Sequence, residues 1–99
     1  MLFRSEAELI RSIRLMVSAE YEAIQLYMQL AESTDNELAQ TVLIDVADEE
    51  REHAGEFLRL LHELDPAEQG FYDHGKEEVE EMIAKLKKGK AKAKADKKK

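Results

Sequence analysis

Between two long stretches in which apolar side chains recur every three or four positions lies the short polar run Ser33-Thr34-Asp35-Asn36-Glu37. Leu9, Ile13, Met16, Val17, Ala23, Ile24, Tyr27 and Leu30 precede it, and Leu38, Leu43, Val46, Ala47, Phe57, Leu60, Leu61 and Leu64 follow. That spacing predicts two amphipathic helices, over about residues 5–32 and 36–64. Ser5 with Glu8 and Thr34 with Glu37 have the form of capping boxes, and Asp65-Pro66 ends the second helix. Each helix would be roughly 40 Å long, and so short a connection makes them antiparallel neighbours. A two-helix hairpin leaves half of each stripe facing water, so the expected fold is all-α and self-associating. Two hairpins packed face to face close a four-helix bundle.

After Pro66 the run "AEQGFYDHG" reads as a turn, and Lys76 to Lys88 as a shorter third helix with Val79, Met82, Ile83 and Leu86 apolar. From Gly89 the sequence "GKAKAKADKKK" is of low complexity and reads as a disordered tail. The expected organisation is a helical domain over 1–88 and a Lys-rich tail over 89–99. Charge divides in the same way. Lys85 to Lys99 hold nine Lys and one Asp, a net of +8, which leaves −15 for Met1 to Ala84 in a chain of net charge −7. The apolar runs are too short for a membrane span, and the N-terminus lacks the apolar segment and cleavage site of a secretory signal. A cytoplasmic protein is therefore expected. No aromatic residues interleave with the lysines, which argues against specific reading of nucleic acid.

Three polar residues fall where the stripes predict apolar ones. Glu20 lies midway between Ile13 and Tyr27, flanked by Met16, Ala23 and Ile24. Glu50 has the same position in the second helix, four residues after Val46 and seven before Phe57, and His53 follows it by three. At that spacing Glu50 and His53 share one helix face. A carboxylate buried without a partner costs several kcal/mol, so this placement calls for a cation, a metal or a proton. With no cysteine in the chain, a metal would be held by oxygen and imidazole donors, which select iron or manganese over thiolate-bound ions. Glu50 and His53 alone also describe an ordinary solvated pair; Glu20 in the facing stripe is what favours a metal. Glu49 and Glu52 turn away as solvent charges, His62 is out of phase with His53, and His74 sits in the expected turn with no second ligand. A two-fold dimer brings together two Glu20, two Glu50 and two His53. That set is the ligand inventory of a ferritin-like di-iron site, and its four carboxylates balance two ferrous ions.

"AEYEAIQLY" (Ala19 to Tyr27) with "DEEREHA" (Asp48 to Ala54) resembles the encapsulated ferritins, over roughly Ser5 to Leu64 plus the third helix. In that family, two-helix subunits carry half of a ferritin site and complete it by dimerising. The resemblance implies a ferroxidase with a di-iron (Fe) centre, for which Glu20, Glu50 and His53 are the iron ligands. It implies that Tyr27 is a hydrogen-bonding group beside them, and that Glu22 contributes to an outer iron-uptake site between dimers. It also implies a homo-oligomer, a dimer at least and compatible with a ring of dimers, and an encapsulin shell as partner. Where the family often has a further glutamate and a tryptophan, this chain has Ala19 and Leu26. Two other readings use the same residues: a rubrerythrin-like peroxidase, and a metal-free helical dimerisation module.

Overall fold

The computed structural model describes residues 5–97, and among them every regular element is an α-helix: α1 (Glu6–Glu32), α2 (Glu37–Leu64) and α3 (Pro66–Lys97). Contacts divide the chain into two compact units at the Pro66–Ala67 boundary. The first is the α1–α2 hairpin and the second is the rest of α3.

The predicted hairpin forms with its predicted bounds. Ser5 caps α1 by accepting a hydrogen bond from the Glu8 amide at 3.3 Å. At the other end Ser33 closes the helix, its amide donating to the carbonyls of Gln29 and Leu30. The cap of α2 is not Thr34, as the capping-box spacing suggests. Asn36 holds that role, and its Oδ1 accepts from the Ala39 amide at 2.9 Å. The backbone becomes helical only at Glu37, which leaves Thr34 outside the first turn; its hydroxyl accepts instead from the Asn36 amide at 3.2 Å. Gln40 reaches back to donate to the Thr34 carbonyl at 2.6 Å, so the connection is braced from both sides. Arg14, early in α1, pairs with Asp65, just past α2, at 3.5 Å, as antiparallel packing requires.

The buried seam is narrower than the stripes. Ile13, Val17 and Ala31 of α1 and Ala47, Ala54 and Leu61 of α2 are the buried residues. Together with half-buried Glu20, Ile24, Tyr27, Leu43, Glu50, Phe57 and Leu64 they recur at alternating steps of three and four, the pattern of one helix seated on one other. The stripe residues at the edge of the seam, Met16, Leu30, Leu38 and Leu60, stay exposed. One hairpin therefore leaves part of its apolar stripes uncovered, a face of the kind oligomers cover.

The third element departs from the expected turn, short helix and disordered tail. One helix runs from Pro66 to Lys97, through Gly70, Gly75 and Gly89, none of which takes a positive φ. Three causes favour it. Pro66 suits the first helical position. Ala, Glu and Lys dominate the sequence and have high helix propensity. Acidic residues crowd the N-terminal half and lysines the C-terminal half, the arrangement the helix dipole favours. Side chains four apart reinforce it: Gln69 donates to Asp73 at 2.9 Å, His74 pairs with Glu78 at 3.1 Å, and the Tyr72 hydroxyl donates to Glu68. The last two positions of the expected tail, 98–99, lie outside the described residues, as do 1–4 of the expected helical domain. No helix among the described residues is long and apolar enough to cross a membrane.

Candidate metal centre

Glu20 and Glu50 occupy the middle of the seam, Glu20 between Val17 and Ile24, Glu50 between Ala47 and Ala54. Both are seam positions by spacing, so packing of the hairpin draws their side chains toward the opposite helix. The alanines on either side of Glu50 are buried completely or nearly so, and their small size lets the helices approach closely at this level. The two carboxylates keep only 17% and 18% of their side-chain surface exposed.

His53 stands one turn beyond Glu50 at the rim of the seam, 48% exposed. Its Nδ1 lies 3.3 Å from Glu50 Oε2 and 3.8 Å from Glu20 Oε2. Donor atoms from the three residues all lie within 4.8 Å of one another, and this is the only such acidic and histidine cluster among the described residues. Glu20, Glu50 and His53 thus meet at one point, and the cluster contains no acidic or histidine residue beyond these three.

The other acidic and histidine residues that the sequence singles out are not members of this cluster. Tyr27 is half-buried one heptad after Glu20, at a position of the same seam. Glu22 is exposed on α1, and Glu49, Glu52 and His62 are exposed on α2. His74 is helical rather than in a turn, and its partner is Glu78.

The chemistry of the donors suits a hard or borderline cation. Two desolvated carboxylates repel each other, and the ion pairs they make among the described residues run only to one imidazole. A divalent ion between them relieves that repulsion and the desolvation together. Two oxygens and a nitrogen match the preferences of iron or manganese, yet three residues provide fewer donors than the six that an octahedral ion takes. His53 leaves the cluster open to its surroundings on one side.

The family model described as Rubrerythrin matches residues 13–97. An encapsulin nanocompartment cargo protein of Myxococcus xanthus is 49% identical over 76 residues, which cover 77% of this chain and 56% of that protein. A ferritin-like–encapsulin shell fusion protein of Pyrococcus furiosus is 42% identical over 78 residues, 79% of this chain and 23% of that protein. The chain therefore spans little more than half the length of the first relative and less than a quarter of the second. The crystal structure of an encapsulated ferritin domain from Pyrococcus furiosus matches with a TM-score of 0.78 and 41% identity, over 82% of this chain and 83% of that one.

Proposed function

The chain belongs to the rubrerythrin family of ferritin-like domains, and from that premise we propose that it is a ferroxidase, oxidising Fe²⁺ with O₂ at a dinuclear site formed across two copies. The observation that carries the reading is the convergence of Glu20, Glu50 and His53, two of them desolvated and one at an open rim. A second copy docked on that rim doubles the set. Four carboxylates then balance two ferrous ions, and the apolar residues exposed beside the seam become buried. Ferrous iron is the substrate and electron source, and O₂ is the acceptor.

Each residue has a distinct role in this reading. Glu50, 3.3 Å from the imidazole, is the carboxylate shared between ions, and Glu20 binds one ion from the opposite helix. Their hard oxygens stabilise Fe³⁺ over Fe²⁺, which makes electron loss favourable. His53 uses Nδ1, the nitrogen facing both carboxylates, and keeps Nε2 to donate to an acceptor that fixes the ring. Tyr27 supplies a hydroxyl along the same seam. In the same reading exposed Glu22 collects iron at an outer surface between dimers. A hairpin of this size encloses no mineral cavity, and the names of the relatives support an encapsulin compartment in the cytoplasm as the destination of the Fe³⁺.

Anaerobic Fe²⁺ titration followed by mixing with O₂ tests the proposal. Two irons bound per pair of chains and a prompt ferric absorbance are expected. Absence of iron binding would leave a metal-free dimerisation module instead. The Rubrerythrin match favours one rival using the same ligands, a peroxidase, and faster oxidation with H₂O₂ than with O₂ would select it.

A further inference from the structure

The sequence of α3 is close to a mirror image of itself with the charges inverted. Counted outward from the midpoint between Met82 and Ile83, Glu80 is matched by Lys85, Glu78 by Lys87, Glu77 by Lys88, Asp73 by Lys92 and Glu68 by Lys97. Val79 is matched by Leu86 and Tyr72 by Ala93. Out to Glu68 and Lys97 no matched pair has like charge; the departures, such as Glu81 with Ala84 and Lys76 with Gly89, are charge against neutral. The helix is continuous across this whole range and buries none of its residues. Phe71, Val79, Met82, Ile83 and Leu86 fall on one stripe at 100° per residue, between 40% and 76% exposed.

We propose that α3 is a self-complementary association helix, docking antiparallel on α3 of a second copy about a two-fold axis between Met82 and Ile83. An antiparallel two-fold brings each position level with its mirror position, so Glu68, Asp73, Glu77, Glu78 and Glu80 each meet the level of a lysine. It also places like edges of the stripe side by side. Glu78 and Lys85 lie along one edge and Glu80 and Lys87 along the other, so both edges carry cross-helix pairs about two residues out of level, or roughly 3 Å. At the centre Met82 and Ile83 of both copies pack together, with Val79 against Leu86, and large Tyr72 is level with small Ala93.

The charge pattern also selects the occupant. Parallel pairing would set acid against acid and lysine against lysine. A polyanion would suit the lysine half and be repelled by the acidic half. Another α3, reversed, suits both. This association uses none of the residues of the iron site and is independent of the ferroxidase reading.

The chain has no cysteine, so single cysteines report the geometry cleanly. In the full chain, kept metal-free with chelator, Met82→Cys should form a disulfide-linked dimer on mild oxidation. Phe71→Cys should not, because the two copies of that position lie about 35 Å apart along an antiparallel pair. Added to Met82→Cys, either the double change Glu78→Lys/Glu80→Lys or the double change Lys85→Glu/Lys87→Glu should lower cross-linked dimer by roughly tenfold at low salt. Mixing the two charge variants should restore it as a heterodimer, identified by mass, which a misfolded variant could not do. Equal cross-linking at positions 71 and 82, charge variants that cross-link as well as the parent, or a mixture that is not restored would each overturn the proposal.

Discussion

Glu20 of α1 and Glu50 of α2 reach the same imidazole nitrogen from opposite helices, at 3.8 Å and 3.3 Å from His53 Nδ1. Neither helix alone makes that arrangement. It depends on the register of the hairpin, which Arg14–Asp65 at one end and the braced Ser33–Asn36 connection at the other help to hold.

That dependence makes Ala47 a sensitive position, since it is 0% exposed and sits one step along the seam from Glu50. Ala47→Leu forces extra volume between the helices and should cost about 1–3 kcal/mol. Iron affinity should fall with it, because the same displacement separates Glu20 from Glu50. Thermal melts and iron titration of the variant measure the two effects. A variant as stable as the parent would show that the helices are not in close contact here.

Replacement of His53 by alanine removes a nitrogen donor and should slow Fe²⁺ oxidation at least about tenfold. His62→Ala, exposed and on another face of α2, should leave the rate within about twofold of the parent. Stopped-flow absorbance of the ferric product gives both rates. Equal losses would mean that the wrong face of α2 has been assigned.

If the ligands of two copies share the ions, metal and assembly are linked. Metal at 100 times its dissociation constant should add about 2.7 kcal/mol to the stability of the assembled state. Chelator should then lower the melting temperature and shift sedimentation toward smaller species. An identical sedimentation profile with and without metal would count against a shared site.

The convergence of the three candidate residues is legible in the sequence because helical geometry is local. Glu50 and His53 are three apart, and Glu20 interrupts an apolar stripe at a position that stripe itself defines. The two hairpin helices are legible for the same reason. Spacing points to Thr34 as the cap of α2 because Thr34 and Asn36 both precede a suitable run, and only the backbone path shows which one adjoins the first turn. The full length of the third helix is hidden because Pro66, Gly70, Gly75 and a lysine run each signal a break, while the propensity and charge order that favour a helix are spread over the whole segment. Its mirror pattern has no meaning until the segment is known to be one helix.

The continuity of α3 has its own test at Gly70, on the face opposite the apolar stripe. A Cβ there meets nothing within 4 Å, and the backbone is helical. Gly70→Ala should stabilise the helix by up to about 1 kcal/mol, seen as slower amide exchange over 66–75. A turn at this position would instead make the change neutral or unfavourable.

Glu20→Ala separates a ligand from a structural residue most sharply, because it should abolish dinuclear iron binding and still make the metal-free protein more stable. Two carboxylates with less than a fifth of their surface exposed share one imidazole, so the metal-free protein bears both their desolvation and their repulsion. Deleting one relieves both costs, and alanine adds its higher helix propensity in the middle of α1. The expected gain is about 1 kcal/mol, read from melts in chelator. A glutamate facing water would behave differently: its removal would shift stability by only a few tenths of a kcal/mol and leave iron stoichiometry intact. A metal-free variant that is less stable than the parent, yet still binds two irons per pair of chains, would refute the assignment of Glu20 as a desolvated ligand.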